Sequence, residues 1–131
     1  MILIDTSVLV DYLRSPTDRV LRLFEENKAA ICGVTRAEVL AGARNPADLD
    51  RIARSLDVLG QIGITEGLWD VLGKNLSLLR AAGATVPFAD ALIATLAIEN
   101  GLELWTRDRH FVRIQGILTR LRLFQEPNHA S

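Results

Sequence analysis

Four acidic residues spread along this chain each lie where a strand should end or a helix should begin. Asp5 directly follows a short apolar run, and Asp108 comes just after another. Glu38 and Asp90 lie in the first turns of helices next to such runs. Apolar runs and helical patterns alternate, which is typical of a parallel sheet covered by helices. Since parallel strands end at a shared edge, we expect the four carboxylates to lie along that edge, where open α/β sheets bind ligands.

Three of these acids also have a purely structural interpretation. Asp5 can cap the helix that should follow it. Glu38 stands three residues after Thr35, which is the spacing of a capping box. Asp90 can complement the dipole of its own helix. For each acid, the structural and the chemical interpretation remain open at the level of the sequence.

A shared edge would create an electrostatic problem for four carboxylates. Their mutual repulsion would raise their pKa values or drive them apart, and a divalent cation removes that repulsion. Oxygen ligands without a cysteine cluster suit Mg²⁺ or Mn²⁺ better than Zn²⁺. A carboxylate-held ion of this kind is typical of phosphodiester hydrolysis, because it lowers the pKa of a bound water and neutralises charge in the transition state. The acids alone therefore predict a metal-dependent nuclease or phosphatase.

The composition fits a single domain in the cytoplasm. The 131 residues carry a net charge of −1 and are 49% hydrophobic. No apolar run approaches the ~20 residues of a membrane span, and the N-terminus lacks the pattern of a signal peptide. The one cysteine, Cys32, should be buried, and it excludes both a disulfide framework and a cysteine zinc site. We expect a domain over residues 1–125 and a short flexible tail over residues 126–131.

Three further patterns predict local structure. Ser15 and Pro16 should begin the second helix, as its N-cap and first helical residue. Leucines at helical spacing predict a long helix over residues 65–82, with Trp69 on its buried face. Residues 120–124 should form the last strand of the sheet.

Four segments, taken in order, resemble the motifs of PIN-domain ribonucleases, specifically the VapC-like toxin of a type II toxin–antitoxin pair. The segments are ILIDTSVLV around Asp5, TRAEVLAG around Glu38, PFADALIA around Asp90 and LWTRDRHF around Asp108. No single motif is specific, but their order and spacing cover nearly the whole chain.

The resemblance implies a three-layer α/β/α sandwich with a mainly parallel central sheet. It implies bound Mg²⁺ or Mn²⁺ and hydrolysis of RNA, with transfer RNA or another structured RNA as the substrate. It also implies a homodimer, held by a small VapB-like antitoxin that inserts a segment into the active site. No membrane is involved.

The four acids are the expected catalytic and metal-binding residues. We expect Asp5 and Asp90 to be direct metal ligands, while Glu38 and Asp108 complete the site through water or orient the attacking water. Ser7 and Thr106 should support the ligands by hydrogen bonds.

The segment around the fourth acid carries further candidates. Five arginines lie between positions 107 and 122, and three of them, Arg107, Arg109 and Arg113, are candidate RNA contacts. Scattered, solvated surface charge is the alternative. Many relatives have an acid where this chain has His110, which we predict to be a solvated loop residue.

Three other classes of protein compete with this assignment. A receiver-type phosphoacceptor module needs a lysine near its C-terminus, whereas the two lysines here are Lys28 and Lys74. A phosphatase with Asp5 as nucleophile usually has an Asp-x-Asp motif, and residue 7 is a serine. A catalytically weak PIN-like domain that only binds a partner is the third alternative.

Overall fold

A four-stranded parallel sheet lies between two layers of helices in the computed structural model, which describes residues 1–127. The strands are β1 Ile2–Ile4, β2 Ala29–Cys32, β3 Gly60–Ile62 and β4 Glu103–Trp105. The helices are α1 Thr6–Arg14, α2 Asp18–Glu26, α3 Gly33–Ala41, α4 Pro46–Asp57, α5 Leu68–Ala81, α6 Phe88–Glu99 and α7 His110–Ile117. The strand order is β3-β2-β1-β4, and each neighbouring pair is parallel. The predicted α/β/α sandwich is confirmed.

The alternation of side chains along β1 explains the three layers. Ile2 and Ile4 pack into an apolar cluster that includes side chains of α1, α2 and α4. Leu3, between them, packs into the cluster formed with α5, α6 and α7. All three side chains are buried, as expected for a parallel strand covered on both faces. Cys32 is also buried, as predicted.

The central strand β1 determines which residues meet at the C-terminal ends of the strands. β1 pairs with β2 on one side and with β4 on the other. The backbone N–H of Asp5 extends this second pairing by donating to the carbonyl oxygen of Trp105 at 3.1 Å. Asp5 and Thr106, the residues that follow β1 and β4, therefore lie next to each other.

The predicted start of the second helix is wrong. Ser15 is instead the C-cap of α1, with its N–H donating to the carbonyl of Asp11 at 3.0 Å. Thr17 caps α2, because its side chain accepts the N–H of Val20 at 3.2 Å. Pro16 thus lies in the extended connection between the two helices rather than inside the second.

Two predictions about packing also need correction. Trp69 is 44% exposed, since it lies beside rather than on the stripe formed by the buried Leu68, Leu72 and Leu79. Residues 120–124 form no full strand among residues 1–127, because their pairing with β4 is limited to a parallel bridge between Leu104 and Leu123.

Two predictions concern the chain as a whole. Within residues 1–127, no helix is long and apolar enough to cross a membrane. The tail predicted over residues 126–131 falls largely on residues 128–131, which lie outside the described residues.

Candidate active site

Asp5 is held in one orientation by the first turn of the helix that follows it. It is 4% exposed and is the N-cap of α1. Its Oδ1 accepts hydrogen bonds from the Ser7 hydroxyl at 2.6 Å and from the backbone N–H groups of Ser7 at 3.0 Å and Val8 at 3.4 Å. The capping interpretation of Asp5 is therefore correct, and capping fixes the direction of the carboxylate.

Thr106, which leaves β4, completes the environment of Asp5. Its hydroxyl donates to Asp5 Oδ2 at 2.6 Å and accepts the N–H of Asp108 at 3.0 Å. Each carboxylate oxygen of Asp5 thus bonds one hydroxyl group. The two side chains that we expected to support the acids, Ser7 and Thr106, both bond Asp5. The pKa of Asp5 is nevertheless raised, because desolvation by burial outweighs these hydrogen bonds.

Asp90, in the first turn of α6, responds electrostatically to the other three acids. Its pKa is raised chiefly by desolvation, and then by the charges of Asp108, Asp5 and Glu38, while His110 lowers it. The four acids therefore share one electrostatic environment at this edge of the sheet. This is the repulsion that their predicted convergence would produce.

Three side chains come close enough to share one ion. Asp90, Asp108 and His110 each offer a ligand atom, and these atoms lie within 4.8 Å of one another. Two carboxylates and an imidazole form a donor set that fits a divalent cation. Asp5 and Glu38 are not members of this group. His110 is predicted from the sequence to be a solvated loop residue; its side chain is indeed 69% exposed, but it begins α7 and faces this group.

Glu38 sits at the margin of the site. Its Oε1 accepts the hydroxyl of Thr6 at 2.9 Å, and its side chain is exposed. The predicted capping box is wrong: α3 begins at Gly33, directly after β2, so Thr35 lies buried inside the first turn. Glu38 is left to face the start of α1.

The side chain of Arg107 forms ion pairs within the protein. Its guanidinium bonds Glu126 at 2.8 Å and Asp11 at 3.2 Å, which raises its pKa. Its backbone N–H donates to the Ser7 hydroxyl at 2.9 Å, so the same residue also touches the support of Asp5.

Glu126 is a site-supporting residue that sequence reasoning missed. It also accepts the indole N–H of the buried Trp105 at 2.7 Å, so it joins the last residue of β4 to the turn that follows. Nothing in the local sequence marks it, because its partners lie 19 and 21 residues away.

Two of the other arginines in this segment donate to backbone carbonyls, although all of them are exposed. Arg113 donates to the carbonyl of Gly83 at 3.0 Å, and Arg122 donates to the carbonyl of Gly101 at 2.7 Å. Arg109 is exposed, immediately after Asp108. Contact of these side chains with RNA stays a prediction.

A large apolar groove lies elsewhere on the molecule. It has a volume of about 500 Å³ and is lined by side chains of α1, α2 and α4, including Leu9, Phe24 and Leu56. None of the four acids lines it. Asp5 and Asp108 lie instead just beyond the C-terminal ends of β1 and β4.

Comparison with known proteins agrees with this architecture. A family model described as PIN domain matches residues 2–117. Ribonuclease VapC11 from Mycobacterium tuberculosis (strain ATCC 25618 / H37Rv) is 33% identical over 119 residues, which cover 85% of this chain and 89% of that protein.

Two solved structures extend the comparison to the fold. A DNA-bound VapBC from Salmonella typhimurium superposes with a TM-score of 0.82 at 22% identity, covering 95% of this chain and 98% of that chain. A toxin–antitoxin complex from Klebsiella pneumoniae superposes with a TM-score of 0.68 at 26% identity, covering 94% and 100%. The chain therefore belongs to the PIN domain family and, within it, is similar to the VapC ribonucleases.

Proposed function

We propose that this protein is a metal-dependent endoribonuclease that acts as the toxin of a toxin–antitoxin pair. Its membership of the PIN domain family and its similarity to VapC ribonucleases support the reaction. The observation that carries the proposal is the close group of Asp90, Asp108 and His110, whose ligand atoms lie within 4.8 Å of one another. Desolvation raises the pKa of Asp90, and the negative charges of Asp108, Asp5 and Glu38 raise it further. Such accumulated negative charge favours a bound divalent cation.

The proposal assigns the four acids to binding the ion and the attacking water. Asp5 and Asp90 are ligands, and the closeness of Asp108 to Asp90 supports a place for Asp108 beside them. Glu38, which is exposed and accepts a hydrogen bond from Thr6, orients water at the margin. When bound, Mg²⁺ or Mn²⁺ would supply an activated water and neutralise charge on the scissile phosphate.

The hydroxyls of Ser7 and Thr106 have a separate role in this scheme. They hold the two oxygens of Asp5 at 2.6 Å each, so the carboxylate keeps one orientation during the reaction. A carboxylate oxygen has room for a further partner beside such a hydrogen bond. Ser7 and Thr106 are therefore positioning residues.

The substrate in this proposal is RNA in the cytoplasm, with transfer RNA or another structured RNA as the target. The exposure of the Glu38 and His110 side chains at this site supports a substrate that approaches from solvent. Arg109, exposed next to Asp108, is suited to contact phosphate. Arg107 and Arg113, each already bonded within the protein, are weaker candidates.

The proposed partner is a small antitoxin. The solved relative from Klebsiella pneumoniae is a toxin–antitoxin complex, and that from Salmonella typhimurium is a DNA-bound VapBC. Both support a VapB-like partner here. The proposal includes a homodimer of this chain and an antitoxin segment that enters the acidic edge and blocks it.

The test is to map new 5′ ends across cellular RNA after brief expression. We expect defined cleavage sites with the wild type, and a loss of about 100-fold or more with Asp5→Asn or Asp90→Asn. Asp70→Asn is the matched control, because Asp70 lies in the first turn of α5 as Asp90 lies in the first turn of α6. Asp70, unlike Asp90, is exposed.

A second arm uses purified protein and a chelator. Cleavage should stop when divalent ions are removed and return when Mg²⁺ or Mn²⁺ is added. Full cleavage by Asp90→Asn, or by the wild type in excess chelator, would overturn the metal mechanism. An absence of new 5′ ends with the wild type would favour a domain that only binds a partner.

A further inference from the structure

His110 lies at the opening of the acidic group, and two contacts set its position. Its backbone N–H donates to Asp108 Oδ1 at 2.9 Å, and its Nδ1 lies 3.2 Å from the same oxygen. The backbone contact fixes the start of α7 relative to Asp108. The imidazole is therefore held beside the carboxylate, although 69% of the His110 side chain is exposed.

The spacing of the three side chains is that of ligands around one ion. One atom from each of Asp90, Asp108 and His110 lies within 4.8 Å of the others. These side chains come from the N-terminal turn of α6 and from the turn that leads into α7. Both backbones are anchored, since α6 is largely buried and α7 packs through Phe111 and Ile114. The group is thus positioned by the fold.

We propose that His110 is a metal ligand, and that its ring nitrogen makes the site selective for Mn²⁺ over Mg²⁺. This inference rests on the proposed function, because it takes the acidic edge as the place where the ion binds. It adds a nitrogen donor to a ligand set that the sequence alone predicts to be oxygen only.

The selectivity follows from the chemistry of the donors. Mg²⁺ is a hard cation that prefers oxygen ligands and gives up its water reluctantly. Mn²⁺ also favours oxygen ligands, but as a first-row transition ion it accepts an imidazole nitrogen more readily than Mg²⁺ does. Replacing one oxygen donor by His110 therefore weakens Mg²⁺ binding relative to Mn²⁺ binding.

The experiment measures metal binding to the full-length protein without RNA. Mn²⁺ and Mg²⁺ are titrated separately by calorimetry into the metal-free wild type, His110→Gln and His110→Asp. We expect His110→Gln to weaken Mn²⁺ binding by about tenfold or more and to change Mg²⁺ binding by less than about threefold. His110→Asp should restore an oxygen donor and shift the preference towards Mg²⁺.

A spectroscopic readout identifies the nitrogen directly. Electron spin-echo modulation of bound Mn²⁺ should show coupling to imidazole nitrogen in the wild type and lose it in His110→Gln. His129→Gln, which removes the other histidine of the chain, is the matched control and should keep the coupling.

The outcomes separate this inference from the proposed function. If Mn²⁺ binds without imidazole coupling, and His110→Gln leaves the Mn²⁺ to Mg²⁺ preference unchanged, His110 is not a ligand although the acids bind the ion. If neither ion binds the wild type, both the inference and the metal-dependent function fail. Loss of Mn²⁺ binding in Asp90→Asn supports the shared site that both require.

Discussion

Asp5 accepts the Ser7 hydroxyl at Oδ1 and the Thr106 hydroxyl at Oδ2, and it also caps α1. As the cap, its carboxylate faces the first backbone N–H groups of α1, and it also contacts Thr106, the residue that follows β4. Burial raises its pKa in spite of the hydrogen bonds. One residue therefore stabilises a helix and contributes charge to the site, and the two roles constrain each other.

Asp90 should destabilise the metal-free protein at neutral pH. Its folded pKa lies above the ordinary value of 3.8, so its ionised form is less favourable in the folded than in the unfolded chain. This penalty is fully present above the folded pKa and absent below 3.8. We therefore expect Asp90→Asn to raise the melting temperature at pH 7 in a chelator, with the difference from the wild type shrinking as pH falls towards 4.

Asp70→Asn serves again as the control, because it removes an exposed carboxylate from the first turn of a different helix. It should change the melting temperature little at any of these pH values. A lower stability of Asp90→Asn than of the wild type at pH 7 would contradict the argument. Added Mn²⁺ should reverse the order, since it stabilises only the protein that binds it.

The turn between β4 and α7 is the element on which the site most depends. It carries Thr106, Arg107 and Asp108, and Glu126 joins it to the end of β4, through the guanidinium of Arg107 and the indole N–H of Trp105. The Arg107 N–H in turn bonds the Ser7 hydroxyl. Glu126 thus reaches the environment of Asp5 through two intermediates.

Glu126→Ala should lower both stability and cleavage. The buried Trp105 N–H loses its acceptor, which costs about 1–3 kcal/mol of the free energy of unfolding. The turn also loses its bond to Arg107, so kcat should fall more than the affinity for RNA. Chemical denaturation and single-turnover cleavage measure the two effects.

Glu99→Ala is the matched control, as an exposed glutamate at the end of α6. Glu126→Gln adds a second comparison, because its amide oxygen can still accept the Trp105 N–H and should recover most of the stability. Unchanged kcat in Glu126→Ala would show that the turn holds its shape without this contact.

At the scale of the whole molecule, the parallel sheet and its acidic edge could be predicted from the sequence. Short apolar runs separated by helical patterns leave few other topologies, so the order of Asp5, Glu38, Asp90 and Asp108 was enough to expect one shared edge. The ends of the helices were harder to predict. Ser15 and Thr35 are both residue types that favour the N-cap, but Ser15 ends α1 and Thr35 lies inside the first turn of α3.

The remaining features depend on contacts between distant parts of the chain. Glu126 meets Arg107 across 19 residues, and His110 meets Asp90 only because α6 and α7 pack together. Neither contact leaves a periodic pattern or a local motif. Such partners emerge only from the packed structure.

RNA binding should depend on salt through a small number of arginines. We expect Arg109→Gln, tested in a non-cleaving Asp90→Asn background, to reduce the slope of log affinity against log salt by about 1. Arg22→Gln, an exposed change on α2, should leave that slope unaltered. Filter binding at several salt concentrations measures both, and equal slopes would exclude Arg109 as a phosphate contact.

The pairing of the first strand with the last has a consequence for synthesis on the ribosome. Asp5 is made early, but the hydroxyl that holds its Oδ2 belongs to Thr106, 101 residues later. Chains begin to fold from the N-terminus as they emerge from the ribosome. β1 therefore cannot pair with β4 until most of the domain has been translated. The hydrogen bonds that orient Asp5 are therefore complete only when synthesis of the domain is almost finished.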